Sequence, residues 1–152
     1  MNKKNEQKST TMRISKNFTL SEFNVSASYP ELAKGIPINI RPAVIALVTH
    51  VLQPICDKTG WTCKINSGYR SIELNRAVGG VSVPPSQHMK GEAADCVFMK
   101  DGKPVPIIDV LKVGKELFFD QMIAYPSFVH FSHSKINRRM VLYNSGYKGK
   151  RL

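Results

Sequence analysis

The chain has 152 residues, a length that suits a single domain with one hydrophobic core. It is 42% hydrophobic and 22% charged, which is ordinary for a globular protein, and no segment approaches the ~20 apolar residues that span a bilayer. The net charge of +11 favours anionic partners.

The positive charge is concentrated towards the C-terminus. Residues 121–152 contain no acidic side chain and six basic ones, which are Lys135, Arg138, Arg139, Lys148, Lys150 and Arg151. Such a surface is typical of proteins that bind nucleic acid, anionic membranes or anionic cell-wall polymers, although a basic segment can also simply aid solubility. The recognisable nucleic-acid-binding motifs are absent, so the sequence predicts no specific nucleic-acid partner.

Residues 1–16 are polar and basic and predict a disordered tail. No apolar stretch follows the first lysines, so we expect no secretory signal and another means of delivery for a protein acting outside the cell. The chain has three cysteines, Cys56, Cys63 and Cys96. An odd number does not suit a disulfide framework, and none of them has a second cysteine at zinc-finger spacing. They are predicted to be small buried apolar residues.

The first predicted elements are helical. Thr19 and Glu22 form a capping-box pattern, which predicts a short helix at that point. A longer helix is predicted over 39–58, because its apolar residues recur at helical spacing, with Pro42 in the first turn and Gly60 at the end. His50 lies off the apolar face of this helix and is predicted to be exposed.

The rest of the chain alternates strands with short helices. We predict strands over 61–67, 94–99, 121–125 and 128–132, with the last two joined as a hairpin around 126–127. Short helices are predicted after Ser71 and after Pro106, an ordered loop over 81–86 and a turn over 102–104. This pattern predicts an α+β fold, a small and mainly antiparallel sheet flanked by helices, over residues 17–143, followed by a basic C-terminal tail over 144–152.

The segment SQHMKGEAAD holds two candidate metal ligands, His88 and Asp95. Hydrolytic zinc sites take three protein ligands from His, Asp and Glu and leave one position open. Gly91 permits a sharp turn that would fold His88 back over the strand carrying Asp95. Ala93 and Ala94 are predicted to leave room beside Asp95 for a metal and a substrate.

A third ligand has three candidates, which are His50, His130 and His133. His50 has no evident reason to approach the other two. His130 and His133 lie on one strand, where alternation points them to opposite faces, so only one can reach the site. The strand pattern does not choose between them.

Three ordered blocks resemble the zinc D-Ala-D-Ala carboxypeptidase family, peptidase M15. The first is S-x-H-x-x-G-x-A-x-D over 86–95, the second is SGYR with its following LN and VGG over 67–80, and the third is FDQMI followed by FVHFS over 119–132. They resemble small phage-type members, whose fold is similar to that of hedgehog signalling domains. Several blocks in the right order are a stronger signal than one motif.

This resemblance implies roles for individual residues. His130 becomes the third ligand beside His88 and Asp95, and Zn²⁺ becomes the implied cofactor. Arg70 resembles the arginine that contacts substrate near the scissile bond, where a guanidinium suits a carboxylate or a developing oxyanion. Ser86 resembles a serine that hydrogen-bonds substrate.

The general base departs from the family pattern. Many members place a carboxylate three residues before the last histidine, where this chain has Ser127, and others place it at the end of the preceding strand, where it has Tyr125 beside Ala124. With a two-residue hairpin loop, Tyr125 shares the face of His130, and Asp120 faces the other way and pairs with His133. A three-residue loop would invert this, and the catalytic residue stays unassigned.

Three outcomes are open for the chemistry. Another acid could reach the site, Tyr125 could serve as a hydrogen-bonding electrophile in a slower reaction, or the protein could bind zinc or cell wall without cleaving it. The resemblance implies a zinc-dependent peptidoglycan peptidase of phage or prophage origin that cleaves stem peptides. It would occupy the host cytoplasm before lysis or the virion, and the alternative is a catalytically impaired structural or wall-binding module.

Overall fold

A computed structural model describes residues 12–152 and contains a six-stranded sheet with flanking helices. The strands are β1 (Thr62–Ser67), β2 (Ala93–Lys100), β3 (Lys103–Pro104), β4 (Gln121–Ala124), β5 (Val129–Ser132) and β6 (Met140–Tyr143). Their order across the sheet is β1-β2-β5-β4-β6, with β3 paired to the end of β2. Only the β4–β6 pair is parallel among the described strands, so the predicted α+β class with a mainly antiparallel sheet is confirmed.

The α-helices are α1 (Arg41–Leu47), α2 (Gln53–Thr59), α3 (Ile72–Ala77) and α4 (Ile107–Gly114). Three short 3₁₀ helices cover Leu20–Phe23, Pro30–Leu32 and Gln87–Lys90. The predicted capping box is present, because the Glu22 carboxylate accepts a hydrogen bond of 3.0 Å from the Thr19 backbone N–H. Ser71 caps α3 by accepting a bond of 3.1 Å from the Leu74 N–H.

The predicted long helix is confirmed, with an irregular middle. A π-helical turn, Val48–Leu52, joins α1 to α2 without a break. Pro54 lies at the start of α2 and has no N–H to donate to the carbonyl one turn earlier, which explains the widened turn at this position. Gly60 ends α2 in the left-handed conformation, with φ of 76°. His50 lies on the π turn and is exposed, as predicted.

The hydrophobic core lies between the sheet and the α1–α2 helix. The helix contributes six buried side chains, Val44, Leu47, Val48, Val51, Leu52 and Ile55, which pack in one cluster with buried residues of β2, β4, β5 and α4. Cys56 and Cys96 are buried in the same cluster, Cys63 packs against it, and all three are free thiols. Burial raises the pKa of Cys56 to about 12, so this thiol stays protonated, as expected of a core residue.

The loop of the β4–β5 hairpin has two residues. Tyr125 donates its backbone N–H to the Phe128 carbonyl at 2.9 Å, which leaves Pro126 and Ser127 as a two-residue loop. Ile123 lies opposite His130 in this register. The predicted turn over 102–104 is shorter than expected, because Lys103 and Pro104 form β3 and pair with β2.

Both ends of the described chain contact the domain. The predicted tail of 1–16 falls mostly outside the described residues, which start at Met12, and Arg13 forms a β-bridge with Thr19. In the C-terminal segment, Tyr147 is 5% exposed and belongs to the core, while the Leu152 N–H donates to the Tyr143 hydroxyl.

None of the described helices has the length and apolar character needed to cross a membrane.

The His88 turn, which is the 3₁₀ helix Gln87–Lys90, ends at Gly91 in the left-handed conformation with φ of 72°. A Cβ atom at Gly91 would lie 2.5 Å from Ile40 Cγ2 and 3.1 Å from the Ile40 carbonyl oxygen. Gly91 is therefore required both for the sharp turn and for close packing beside the start of α1.

We expect Gly91→Ala to destabilise the protein more than Gly102→Ala, a matched change at a second left-handed glycine. Gly102 has φ of 75° and no heavy atom within 4 Å of a built Cβ, so its substitution adds backbone strain of only about 1–2 kcal/mol. The clash at Gly91 should add roughly 1–3 kcal/mol more. Denaturant unfolding measures both, and equal losses would contradict the packing role of Gly91.

Candidate metal centre

Asp95 and His130 are held together by the sheet. They lie directly opposite each other in the antiparallel β2–β5 pair, where facing side chains are separated by about 5 Å at Cβ. His130 Nδ1 lies 3.0 Å from Asp95 Oδ1. The sheet register therefore brings together two residues that are 35 positions apart in the sequence.

His88 reaches the same point from the His88 turn. Its Nδ1 lies 2.8 Å from the Gly68 carbonyl oxygen, and because a carbonyl can only accept, Nδ1 carries the proton. The unprotonated Nε2 then faces Asp95 Oδ1 at 3.5 Å. Burial lowers the pKa of His88 against the opposing effect of Asp95, which favours this neutral form.

Gly68 permits this second contact. A Cβ atom at Gly68 would lie 2.3 Å from the Phe23 carbonyl oxygen, so no larger residue fits here without a shift of the backbone. The backbone N–H of Arg70 donates to the His88 carbonyl at 3.0 Å. The segment after β1 thus fixes both the ring and the main chain of His88.

These three side chains could hold a metal ion. One donor atom from each of His88, Asp95 and His130 lies within 4.8 Å of the others. Two imidazoles and a carboxylate suit zinc, whose bonds of about 2.0–2.1 Å place tetrahedral ligands roughly 3.3 Å apart. The distances of 3.0 and 3.5 Å to Asp95 agree with that spacing. Two acceptor atoms facing each other across 3.5 Å also fit a cation between them.

The other histidines lie elsewhere. His133 stacks on His50 with ring centroids 4.8 Å apart. Neither belongs to the set of His88, Asp95 and His130 that could hold a metal ion, here called the candidate metal-binding group. Strand alternation alone left the choice between His130 and His133 open. The register of the sheet places His130 opposite Asp95.

The Asp95 carboxylate is stabilised in its ionised form. Burial would raise its pKa, but the hydrogen bond from His130 and the neighbouring His88 outweigh burial and hold the pKa well below the usual range. Arg70 Nη2 adds a contact of 3.8 Å to the other carboxylate oxygen. The negative charge required of a metal ligand is therefore present at neutral pH.

The group opens onto a cavity of about 840 Å³, here called the central cavity. Its wall includes the three predicted substrate contacts, Arg70, Ser86 and Tyr125. Ser86 also accepts a hydrogen bond of 3.3 Å from the His88 N–H, so it caps the turn. Arg70 Nε is buried without a hydrogen-bond partner in the described chain, while the Arg70 residue lines the cavity.

Tyr125 lies on the cavity side of the hairpin, stacked on Phe128 with ring centroids 4.4 Å apart. Burial and the Asp95 charge raise its pKa, while Arg70 opposes them, so its hydroxyl is protonated at neutral pH. It can therefore donate a hydrogen bond and cannot act as a base in this form. Ser127 is exposed in the hairpin loop and does not line the central cavity.

The prediction that Asp120 pairs with His133 is wrong. Its carboxylate accepts from the Arg138 backbone N–H at 3.0 Å, from Arg138 Nε and Nη2 at 2.8 Å each, and from Gln87 Nε2 at 2.9 Å. Asp120 precedes β4 and lines the central cavity on the same side as His130, so strand alternation does not extend to it. A buried carboxylate gains more from a charged fork than from a neutral imidazole.

The proposed role of the two alanines is also wrong. Ala94 lies in the hydrophobic core and Ala93 is buried, and neither lines the central cavity. Both lie in β2 opposite Phe131 and Ser132, so their small size serves sheet packing.

Sequence reasoning missed Gln87, Ile136 and Arg138 as cavity residues. Gln87 is adjacent to His88, and that position could have drawn attention to it. Nothing in the basic C-terminal segment distinguished Arg138 from its neighbours, since only the contact with Asp120 does so. Glu92 lines the cavity, whereas Glu73 pairs with Lys34 at 3.6 Å on the exposed surface.

Comparison with known proteins gives one match. A family model described as Peptidase M15 matches residues 16–133, which is more than three-quarters of the chain. No curated protein matches the sequence. The matched range contains all three residues of the candidate metal-binding group and ends before Arg138.

The Asp120–Arg138 contact should make stability depend on pH in acid. Hydrogen bonds from Arg138 lower the pKa of Asp120 to about 2, against burial, from an ordinary value of about 3.9. Because the folded pKa is depressed, the contribution of about 2 kcal/mol is present above pH ~4 and is lost as pH falls towards 2.

Denaturant unfolding of wild type and Asp120→Asn between pH 6 and 2 measures this contribution. We expect the difference between the two proteins to be largest above pH 5 and to shrink as pH falls towards 2. A difference that stays constant over this range would show that the Asp120 charge does not stabilise the fold.

Proposed function

This chain belongs to the peptidase M15 family, and from that premise we propose that it is a zinc-dependent peptidase that cleaves murein stem peptides. The family indicates a peptidase acting on peptidoglycan-type substrates and is in general zinc-dependent. The observation that carries the proposal is the convergence of the His88, Asp95 and His130 donor atoms within 4.8 Å at the wall of a large cavity.

In this proposal His88 Nε2, Asp95 Oδ1 and His130 Nδ1 hold the zinc ion. A bound zinc ion supplies a Lewis acid at the position where a peptide carbonyl is attacked. The Gly68 carbonyl fixes the ring orientation and tautomer of His88, as the supporting contacts of zinc-binding histidines commonly do.

Arg70 and Tyr125 bind and orient the substrate. The Arg70 guanidinium, at the cavity wall, suits a substrate carboxylate or the oxyanion that develops during hydrolysis. The Tyr125 hydroxyl, which keeps its proton at neutral pH, donates a further hydrogen bond to the same oxygen. Ser86 keeps the turn in place and offers its hydroxyl to the substrate backbone.

The first test is metal content. Purified protein should bind one zinc ion, and His130→Ala should lose it, because only two donors remain. His133→Ala is the matched control, since this histidine of the same segment stacks on His50 and should leave zinc content unchanged. Elemental analysis after dialysis measures both. Full zinc in His130→Ala would refute the ligand set.

The second test is hydrolysis of purified murein, followed by turbidity and by mass spectrometry of the released muropeptides. Wild type should cleave within the stem peptide, and a chelator or His88→Ala should abolish cleavage. His50→Ala should retain activity, because His50 is exposed and away from the cavity. Chelator-insensitive cleavage would contradict a metal-dependent reaction.

Tyr125→Phe removes one donor and keeps the ring stacked on Phe128. If the hydroxyl contacts the developing oxyanion, kcat should fall roughly 10²-fold with little change in KM, as loss of an oxyanion donor typically does. Steady-state kinetics on a soluble stem peptide measures this. An increase in KM alone would place Tyr125 in substrate binding instead.

We further propose a phage or prophage lysin, acting on the cell wall after cytoplasmic synthesis or from a virion. The blocks over 67–80, 86–95 and 119–132, which resemble small phage-type members, support this assignment. The basic C-terminal residues would favour retention on an anionic wall polymer.

A second candidate is a wall-binding module with impaired chemistry. Its support is the absence of a carboxylate at the two expected base positions, which hold Ser127 and Tyr125. Binding to murein and zinc without release of any muropeptide would favour this alternative.

A further inference from the structure

Arg138 is fixed more firmly than an exposed arginine usually is. Its backbone N–H and two of its guanidinium nitrogens bond to Asp120, whose side chain is only 3% exposed. Arg138 itself is 52% exposed and lines the central cavity. Among the described contacts Nη1 makes no hydrogen bond, so a charged donor is held in place at the cavity wall.

The charged residues of the cavity wall balance formally, three basic against three acidic. Its basic residues are Arg70, Lys90 and Arg138, and its acidic residues are Glu92, Asp95 and Asp120. Asp95 belongs to the candidate metal-binding group, and the Asp120 carboxylate already accepts hydrogen bonds from Gln87 and Arg138. A divalent cation bound at His88, Asp95 and His130 would therefore give the cavity wall a net positive charge. An anionic ligand therefore fits this cavity better than a neutral one.

Arg138 lies some distance from the candidate metal-binding group. Ile123 is opposite His130 in the sheet, and Asp120 is three residues earlier on the same chain segment. At about 3.3 Å per residue, Asp120 is roughly 10 Å along the strand from that pair. An extended peptide covers the same distance with two to three residues.

We propose that Arg138 is a specificity-determining residue that binds a carboxylate side chain of the substrate, two to three residues from the scissile bond. The inference rests on the proposed peptidase function and identifies the substrate class as an acidic peptide. Arg138 lies in the C-terminal segment, beyond the family-matched range of 16–133. Asp120 acts as its positioning residue.

Asp120 has a second contact that affects the choice of variants. It also accepts a hydrogen bond from Gln87, the first residue of the His88 turn. Changing Asp120 would therefore disturb both Arg138 and the turn that carries His88. Substitution of Arg138 separates the two effects, because it leaves the Gln87 contact in place.

The test compares two synthetic stem-type peptides that differ only in a glutamate or a glutamine, placed two or three residues from the scissile bond. The zinc-loaded wild type should cleave the glutamate peptide with kcat/KM about tenfold higher, and Arg138→Gln should remove this preference. Arg139→Gln is the matched control, because the Arg139 guanidinium bonds to the Lys115 carbonyl and lies over Phe118 instead of lining the cavity.

Arg138→Lys keeps the charge without the two-pronged contact and should retain part of the preference. Because each protein is judged by a ratio of two peptides, a general loss of folding or activity cancels. Equal cleavage of the two peptides by wild type, or an equal loss on both in Arg138→Gln, would overturn the inference and leave the proposed peptidase intact.

A binding arm separates failure of the inference from failure of the proposed function. Calorimetry measures the affinity of each peptide for wild type and Arg138→Gln in the presence of a chelator. If no peptide is cleaved but the glutamate peptide binds more tightly only when Arg138 is present, the peptidase proposal fails and the anion-binding role of Arg138 stands. Equal binding of both peptides to wild type overturns that role.

Discussion

The Asp95 carboxylate is the group around which the rest of the site is arranged. It is ionised in a largely buried position, where an unpaired charge would be costly, and it is compensated by His130 at 3.0 Å and His88 at 3.5 Å. Its place opposite His130 is fixed by the ladder between the two central strands β2 and β5. Any change of register by one residue would turn one of the two side chains to the other face of the sheet.

The position of His88, the third residue of the candidate metal site, depends on close approaches that only glycine permits. His88 is oriented by the Gly68 carbonyl, and a Cβ atom at Gly68 would collide with the Phe23 backbone. Gly91 ends the turn against Ile40, at the start of the long helix. The position of His88 is therefore coupled to packing between the helix and the sheet, and disturbing that packing would move a candidate ligand.

The C-terminal segment is part of the same structure. Arg138 bonds to Asp120, Asp120 bonds to Gln87, and Gln87 precedes His88, so hydrogen bonds join this segment to the His88 turn. Tyr147 adds a buried ring to the core from beyond the last strand. Arg138 thus lines the cavity from within the predicted domain, and Tyr147, which the sequence pattern placed in a basic tail over 144–152, completes the core.

The sequence by itself determined the α+β class, most element positions and the family, because periodicity, caps and ordered motifs are local features. It also named His88 and Asp95 as candidates and left His130 and His133 as alternatives, until the family resemblance chose His130 and added Arg70. Only the tertiary structure decided which partner Asp120 takes and that Arg138 faces the cavity. These contacts depend on strand register and on how the chain leaves the sheet, and no local pattern carries that information.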